Sequence, residues 1–306
     1  MSNLGEMTEA VDFQIIANFM AGKGSGRKIL SDLKVFLKNH GKTFDVLAVE
    51  KPTPINLLPG HNLKITQGVI CIGGDGTVSE SMGYILNKKL DLPLAIIPAG
   101  TANIMAASFG LNGFMKNFNF LLEERIKAID IGVADFDGKK VFFLLGLGLG
   151  FEENFLKITK ERNKSNFGIF SYLISALAEL LKIKKIELKI KADEKSFTVK
   201  VCTLMVLNTP PKILQIFPLS KDKDIVSNDG LLNLYFVEYR NFFQSLWETL
   251  IFHVVGKLNF GHIKSMSGKE FYLESDLQVG TQIDGELKDN LPVKISVYPS
   301  KLELLF

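Results

Sequence analysis

Residues 68–80 read GVICIGGDGTVSE. Gly68 to Ile72 is a short, continuously apolar run, as expected of a parallel strand buried on both faces. The run breaks at Gly73-Gly74-Asp75-Gly76-Thr77 and continues into a helix expected to end near Asn87. Glycines let a backbone approach a phosphate closely. A helix N-terminus adds unpaired N–H groups and the positive end of its dipole. Thr77 offers a hydroxyl donor or a helix cap. Asp75 is the odd residue, because a carboxylate among phosphate-binding amides repels the anion unless it holds a metal ion, a water or a basic group. A tight strand-to-helix turn with a capping Asp is the plainer alternative.

The same grammar recurs on both sides of this stretch. Phe13 to Asn18 reads as a strand, and NFMAGKGSG (18–26), with Lys23, follows as a glycine-rich loop. Ile29, Leu30, Leu33, Phe36 and Leu37 then fall at helical spacing, with Gly41 placed as a C-terminal stop. Phe44 to Val49 is the next strand, and Pro52, Pro54, Pro59 and Gly60 make the segment after it irregular. Leu94 to Ile97 is another strand. PAGTAN (98–103) follows it with Gly100, Thr101 and Asn103, and opens a further helix. Strand, glycine loop and helix in repetition predict an α/β doubly wound domain. Three such loops at one sheet edge would form a cleft for a polyphosphate. No GxxxxGK[ST] is present, so a P-loop is excluded.

Beyond about residue 134 the texture turns to β. Val141 to Leu145, Ile186 to Ala192, Phe197 to Leu207, Leu231 to Val237, Phe271 to Glu274 and Val293 to Tyr298 predict an antiparallel sandwich or barrel. Two apolar helical stripes, Phe167 to Leu181 and Phe242 to Leu258, interrupt it. The expected division is an α/β nucleotide-binding domain over residues 12–133, completed by 300–306, and a β-sandwich domain over 134–299.

Composition narrows the classes. The 306 residues carry a formal charge of +3, too balanced for bulk nucleic-acid binding, so no nucleic-acid partner is expected. Hydrophobic residues make up 46% and charged ones 23%, which excludes a disordered chain. Cys71 and Cys202 lie in apolar runs and read as buried free thiols of a reducing compartment. There is no CxxC or HExxH and hence no case for zinc. The polar, acidic N-terminus is unlike a signal peptide, and no 18-residue apolar run lacks charge. A soluble, cytoplasmic protein is expected, with peripheral attachment at the inner membrane face left open.

GGDGTVSE at 73–80, followed by PLAIIPAGTAN at 93–103, resembles the catalytic domain of diacylglycerol kinase-like lipid kinases. That superfamily also holds sphingosine kinases and bacterial YegS-type and BmrU-type lipid kinases. NFMAGKG at 18–24, AIDIG at 128–132, FGIFSYL at 167–173, NDGLLNL at 228–234 and QIDGE at 282–286 extend the resemblance in order along the chain. It implies an NAD kinase/diacylglycerol kinase-like α/β domain binding ATP, joined to a C-terminal β-sandwich. It further implies that Gly74, Asp75, Gly76, Thr77, Glu80 and Thr101 line the nucleotide phosphates or their network, with Asn18 and Lys23 at the same cleft. Asp284 matches the family's general base. Asp229, with the carbonyls of Val226 and Leu231, matches a structural Mg²⁺ site. On the residues alone, Asp284-Gly285 and Asp229-Gly230 read equally well as ordinary Asp-Gly turns.

The chain departs from the family at three places. Ile104 stands where the family has Asp after Gly-Thr-x-Asn, Phe19 replaces the Pro of the first loop, and PTPINLLPGHN (52–62) replaces a helix. The resemblance implies a kinase using ATP and Mg²⁺ to phosphorylate a lipid hydroxyl on diacylglycerol, a sphingoid base or a glycerophospholipid. Its expected partner is a lipid substrate at a membrane surface, with a homodimer left open. NAD kinase is one alternative. A non-catalytic nucleotide or lipid binder, motivated by Ile104, is the other.

Overall fold

The computed structural model describes residues 10–21, 24–50, 55, 64–111, 117–123, 125–150, 185–209, 227–239 and 263–306. Lys23, Val226, PTPINLLPGHN except Ile55, and both apolar helical stripes lie outside them. The chain divides into two units. One is residues 1–129 with 300–306, and the other is 130–299.

In the first unit the strands are β1 (Ala10–Asn18), β2 (Phe44–Val49), β3 (Lys64–Gly73) and β4 (Leu94–Pro98). All pair in parallel, in the order β2-β1-β3-β4. The C-terminal residues return to extend this sheet, with Leu304 beside Leu94. Ile15, Ile16, Ile70, Cys71, Ile72, Leu94, Ile96 and Ile97 are fully buried, so the uninterrupted apolar runs are strands covered on both faces. Helix α1 (Ser25–Asn39) buries Ile29, Leu30, Leu33 and Leu37 against Phe13, Ile15, Ile70 and Ile72. Gly41, at φ 66°, ends it: the amide of Lys42 donates to Leu37 O and that of Gly41 to Lys38 O. Helix α2 (Asp75–Asn87) stops where expected. The helix after PAGTAN is a short one, α3 (Ile104–Ser108).

Antiparallel pairing dominates the second unit. Its strands are β5 (Ile126–Phe136, which begins in the first unit), β6 (Lys139–Phe143), β7 (Gly146–Leu149), β8 (Ile186–Ala192) and β9 (Lys195–Leu207). There follow β10 (Leu232–Glu238), β11 (Ile263–Gly268), β12 (Glu270–Glu274), β13 (Gly280–Ile283), β14 (Glu286–Asn290) and β15 (Val293–Leu305), which carries the chain back to the first unit. Burial in β8 alternates residue by residue, Ile186, Leu188, Ile190 and Ala192 facing in. They join Leu204, Val206, Leu234, Phe236, Phe271 and Ile295 in one core. The architecture is thus the expected α/β unit with a β-sandwich-like unit. Three strands had no clear sequence signal: β7 is half glycine, and β11 and β14 are short and polar. Residues 144 and 145, expected to extend a strand, leave it after Phe143.

Candidate active site

Parallel pairing puts the ends of β1, β3 and β4 at the same sheet edge, with Ala17 opposite Ile72 and Gly73 opposite Pro98. The loops that leave these ends are bound to one another. Asn18 Nδ2 donates to Thr77 Oγ1 at 3.0 Å, joining the end of β1 to the first turn of α2. The Asn18 carbonyl group of the side chain in turn accepts the Met20 amide at 2.9 Å. Thr77 is therefore a buried tie; Gly74, the N-cap of α2, has no side chain with which to cap that helix. Ser25 Oγ donates to Ala99 O at 3.2 Å and couples the first loop to the third.

Gly74 and Gly100 meet backbone to backbone. A methyl group on Gly100 would stand 2.5 Å from Gly74 Cα and 2.8 Å from Asn103 Oδ1, so only glycine fits. Asn103 sits in the left-handed region at φ 48° and closes its own loop: Oδ1 accepts the Gly100 amide at 2.8 Å and Nδ2 donates to Gly100 O at 2.9 Å. The Ala99 amide donates to Gly73 O at 2.8 Å.

Asp75 has a partner that the sequence did not suggest. Its Oδ1 accepts the Met105 amide at 2.8 Å and its Oδ2 accepts the Ile104 amide at 3.1 Å. The carboxylate is thus spent on the first turn of α3, where amides lack intrahelical partners. Because Ile104 is held through its backbone, the apolar side chain does not disturb this bond, and it is exposed. Thr101 is an exposed loop residue at this edge, and Gly76, in the first turn of α2, and Glu80, farther along it, are exposed as well.

In the second unit, Asp284 and Gly285 form the two-residue turn between β13 and β14, at φ 50° and 82°. Such a pair of left-handed residues makes a type I′ hairpin, which Asp-Gly favours. The carboxylate reaches out of the turn. Oδ2 accepts the Leu144 amide at 2.9 Å, and Oδ1 accepts those of Leu145 and Gly146 at 2.9 and 3.0 Å. Asp284 N donates back to Gly146 O at 3.0 Å.

Asp229 lies in an exposed turn, where its Oδ1 accepts the Leu231 amide at 3.0 Å. Buried Asp130 supports that turn: its Oδ2 accepts the Gly230 amide at 2.7 Å, and its own amide donates to Ser227 O at 2.7 Å. Among the described residues no group of three or more His, Cys, Asp or Glu is gathered as for a metal. Asp229 and the Leu231 carbonyl are hard oxygen donors, the class that Mg²⁺ accepts.

One residue of the second unit gave no signal beyond being an Asn at the end of an apolar strand. Asn208 is fully buried, and its Nδ2 donates to both Leu144 O and Asp130 O at 2.9 Å.

Known proteins resemble this chain in both of its units. The diacylglycerol kinase catalytic domain family matches residues 12–134. The YegS C-terminal NAD kinase beta sandwich-like domain family matches residues 150–306. A "putative lipid kinase" of Staphylococcus haemolyticus (strain JCSC1435) is 29% identical over 245 residues, 78% of this chain and 75% of that protein. Another so named, from Staphylococcus aureus (strain JH9), is 27% identical over 241 residues, 76% and 75% of the two chains. In fold, the chain is similar to a crystal structure of a "putative diacylglycerol kinase" from Bacillus anthracis str. Sterne, with a TM-score of 0.74, 20% identity and 98% of each chain covered. No helix among the described residues is long and apolar enough to cross a membrane. From its two family matches, in order and over nearly its whole length, the chain belongs to the diacylglycerol kinase-like lipid kinase family, with a YegS-type C-terminal domain.

Proposed function

We propose that this protein transfers the γ-phosphoryl group of ATP to a lipid hydroxyl, that of diacylglycerol, a sphingoid base or a glycerophospholipid, at a membrane surface. The observation that carries the reading is the bonded set of loops at one edge of the parallel sheet. Asn18 is tied to Thr77, Gly74 abuts Gly100, and Asp75 holds α3. This edge presents backbone rather than bulk, and α2 opens there without a side-chain cap, so its first amides suit phosphate oxygens. Asp75 is compatible with an anion nearby because two amides already answer its charge.

Phosphoryl transfer asks the protein mainly for positioning and charge stabilisation. In this reading Gly73, Gly74, Gly76, Thr77, Gly100, Thr101 and Asn103 shape the phosphate site, with Asn18, Lys23 and Glu80 around it. Mg²⁺, when bound with the nucleotide, neutralises charge on the β- and γ-phosphates. A second, structural Mg²⁺ would be held by Asp229 with the carbonyls of Val226 and Leu231. Asp284 accepts the proton of the attacking hydroxyl, its orientation set by three amides.

Incubation with labelled ATP, Mg²⁺ and a total lipid extract tests the reading, with NAD offered as a competing acceptor. A labelled lipid, lost in Asp284→Asn, is the expected result. Label on NAD would instead show the NAD kinase activity. Binding of ATP without any labelled acceptor would show a non-catalytic member.

A further inference from the structure

Residues 144–146 form a ledge gripped from two directions. On one side Asp284 takes the amides of Leu144, Leu145 and Gly146 and gives its own amide to Gly146 O. From the two residues after β9 come the other bonds: Asn208 Nδ2 and the Thr209 amide donate to Leu144 O, and the Asn208 and Thr209 amides donate to Leu145 O. Every backbone polar group of the three residues is thereby paired, and Asp284 and the 208–209 segment supply all these bonds.

Leu144 and Leu145 are irregular chain between β6 and β7, and only Gly146, the first residue of β7, is in ladder register, opposite Leu207 of β9. The position of the ledge, and hence the aim of the Asp284 carboxylate, depends on what holds its carbonyls. The Asn208 side chain holds Leu144 O and, with the same nitrogen, Asp130 O. Both Nδ2 protons are spent in this way, which fixes the orientation of the amide. Among the described residues its buried Oδ1 has no hydrogen-bond partner, and neither has Thr209 Oγ1. An unpaired buried oxygen is destabilising, and an apolar residue of similar size would avoid it. The bonding of Nδ2 to the ledge is what this asparagine supplies in return.

Given the reading of Asp284 as the base, we propose that Asn208 is the positioning residue that sets the aim of the Asp284 carboxylate through the Leu144–Gly146 ledge. It acts on the chemical step and leaves substrate binding alone. A small misplacement of a reacting group costs up to about a hundredfold in rate.

The test measures kcat, both KM values and the folded fraction for Asn208→Ala, Asn208→Ser and Asp284→Asn in the full chain. In Asn208→Ala the backbone bonds of residues 208 and 209 stay in place, so the change is local. Expected is a kcat per folded molecule reduced between about ten- and a hundredfold, with both KM values unchanged. Asn208→Ser, which keeps one donor, should recover part of the loss. The double variant Asn208→Ala/Asp284→Asn should be no slower than Asp284→Asn alone, because the two act through one group.

A normal kcat in Asn208→Ala, a rise in either KM at normal kcat, or additive losses in the double variant would overturn the proposal. If neither Asn208 variant folds, the residue is structural and the proposal fails. Full activity in Asp284→Asn would instead remove the reading of the base on which it rests.

Discussion

Asn18 and Thr77, 59 residues apart in the chain, share a 3.0 Å hydrogen bond that locks the end of β1 to the first turn of α2. Thr77 is buried, and the bond leaves its hydroxyl engaged with the neighbouring loop. Thr77→Val keeps the shape but leaves Asn18 Nδ2 without this acceptor. A loss of about 1 kcal/mol in urea unfolding is expected, together with weaker ATP binding by calorimetry. Unchanged ATP affinity would separate this tie from the phosphate site.

Gly100→Ala should be worse than its size suggests. The added methyl group meets Gly74 Cα at 2.5 Å, and backbone on both sides must shift. We expect about 1–3 kcal/mol of destabilisation and loss of nucleotide binding, read by thermal melting with and without ATP.

Asp75→Ala removes both acceptors of the α3 amides. Bonds to a charged group are worth about 1.5–3 kcal/mol each, and part is returned as water reaches the exposed end. A loss of about 2 kcal/mol is expected, with faster amide exchange at Ile104 and Met105. Slow exchange retained at both amides would contradict the assigned bonds.

The two cysteines should be inert in the native protein. Cys71 is fully buried, and burial pushes its thiol up to about 12, a rise that its bond with Ser81 only partly offsets. Cys202 is also buried and outside any disulfide among the described residues. A chromogenic thiol reagent should register no reactive group before unfolding and both afterwards. Rapid native labelling would refute the packing around β3 or β9.

Asp12 makes stability depend on pH. The Thr43 amide, bonded to its Oδ2 at 2.7 Å, holds its carboxyl below the ordinary 3.8, with smaller help from the Thr43 hydroxyl and Lys42, against the opposing effect of partial burial. A depressed folded value means that the contribution is complete above the unfolded value and disappears as pH falls through the folded one. Asp12→Asn should therefore be less stable than the parent at pH 7, with the gap closing below about pH 4. A gap that does not narrow as the pH falls below about 4 would point to lost shape instead of lost charge.

Much of the fold was legible because local rules and global packing agree. Ile70, Cys71 and Ile72 form an unbroken apolar run only because β3 is central in a parallel sheet, and Gly73 and Gly74 end it abruptly. The alternation in β8 and the spacing of Ile29, Leu30, Leu33 and Leu37 in α1 are equally direct. Strands β7, β11 and β14 were not legible, since their pairing depends on their partners more than on their own residues.

The candidate site divides in the same way. By itself, the sequence determined three glycine loops after three strands, and two Asp-Gly turns, because a glycine's backbone freedom and a strand's hydrophobicity are properties of neighbours in the chain. What each carboxylate holds was decided by tertiary structure alone. Asp75 pairs with amides 29 and 30 residues away, and Asp284 with amides 138 to 140 residues away. Hydrogen bonding is short-ranged and directional, so such partners exist only once the sheets have brought distant segments within 3 Å or so. Asn208, plain in sequence as one polar residue after an apolar strand, is legible only there, as the donor beneath the ledge that Asp284 grips.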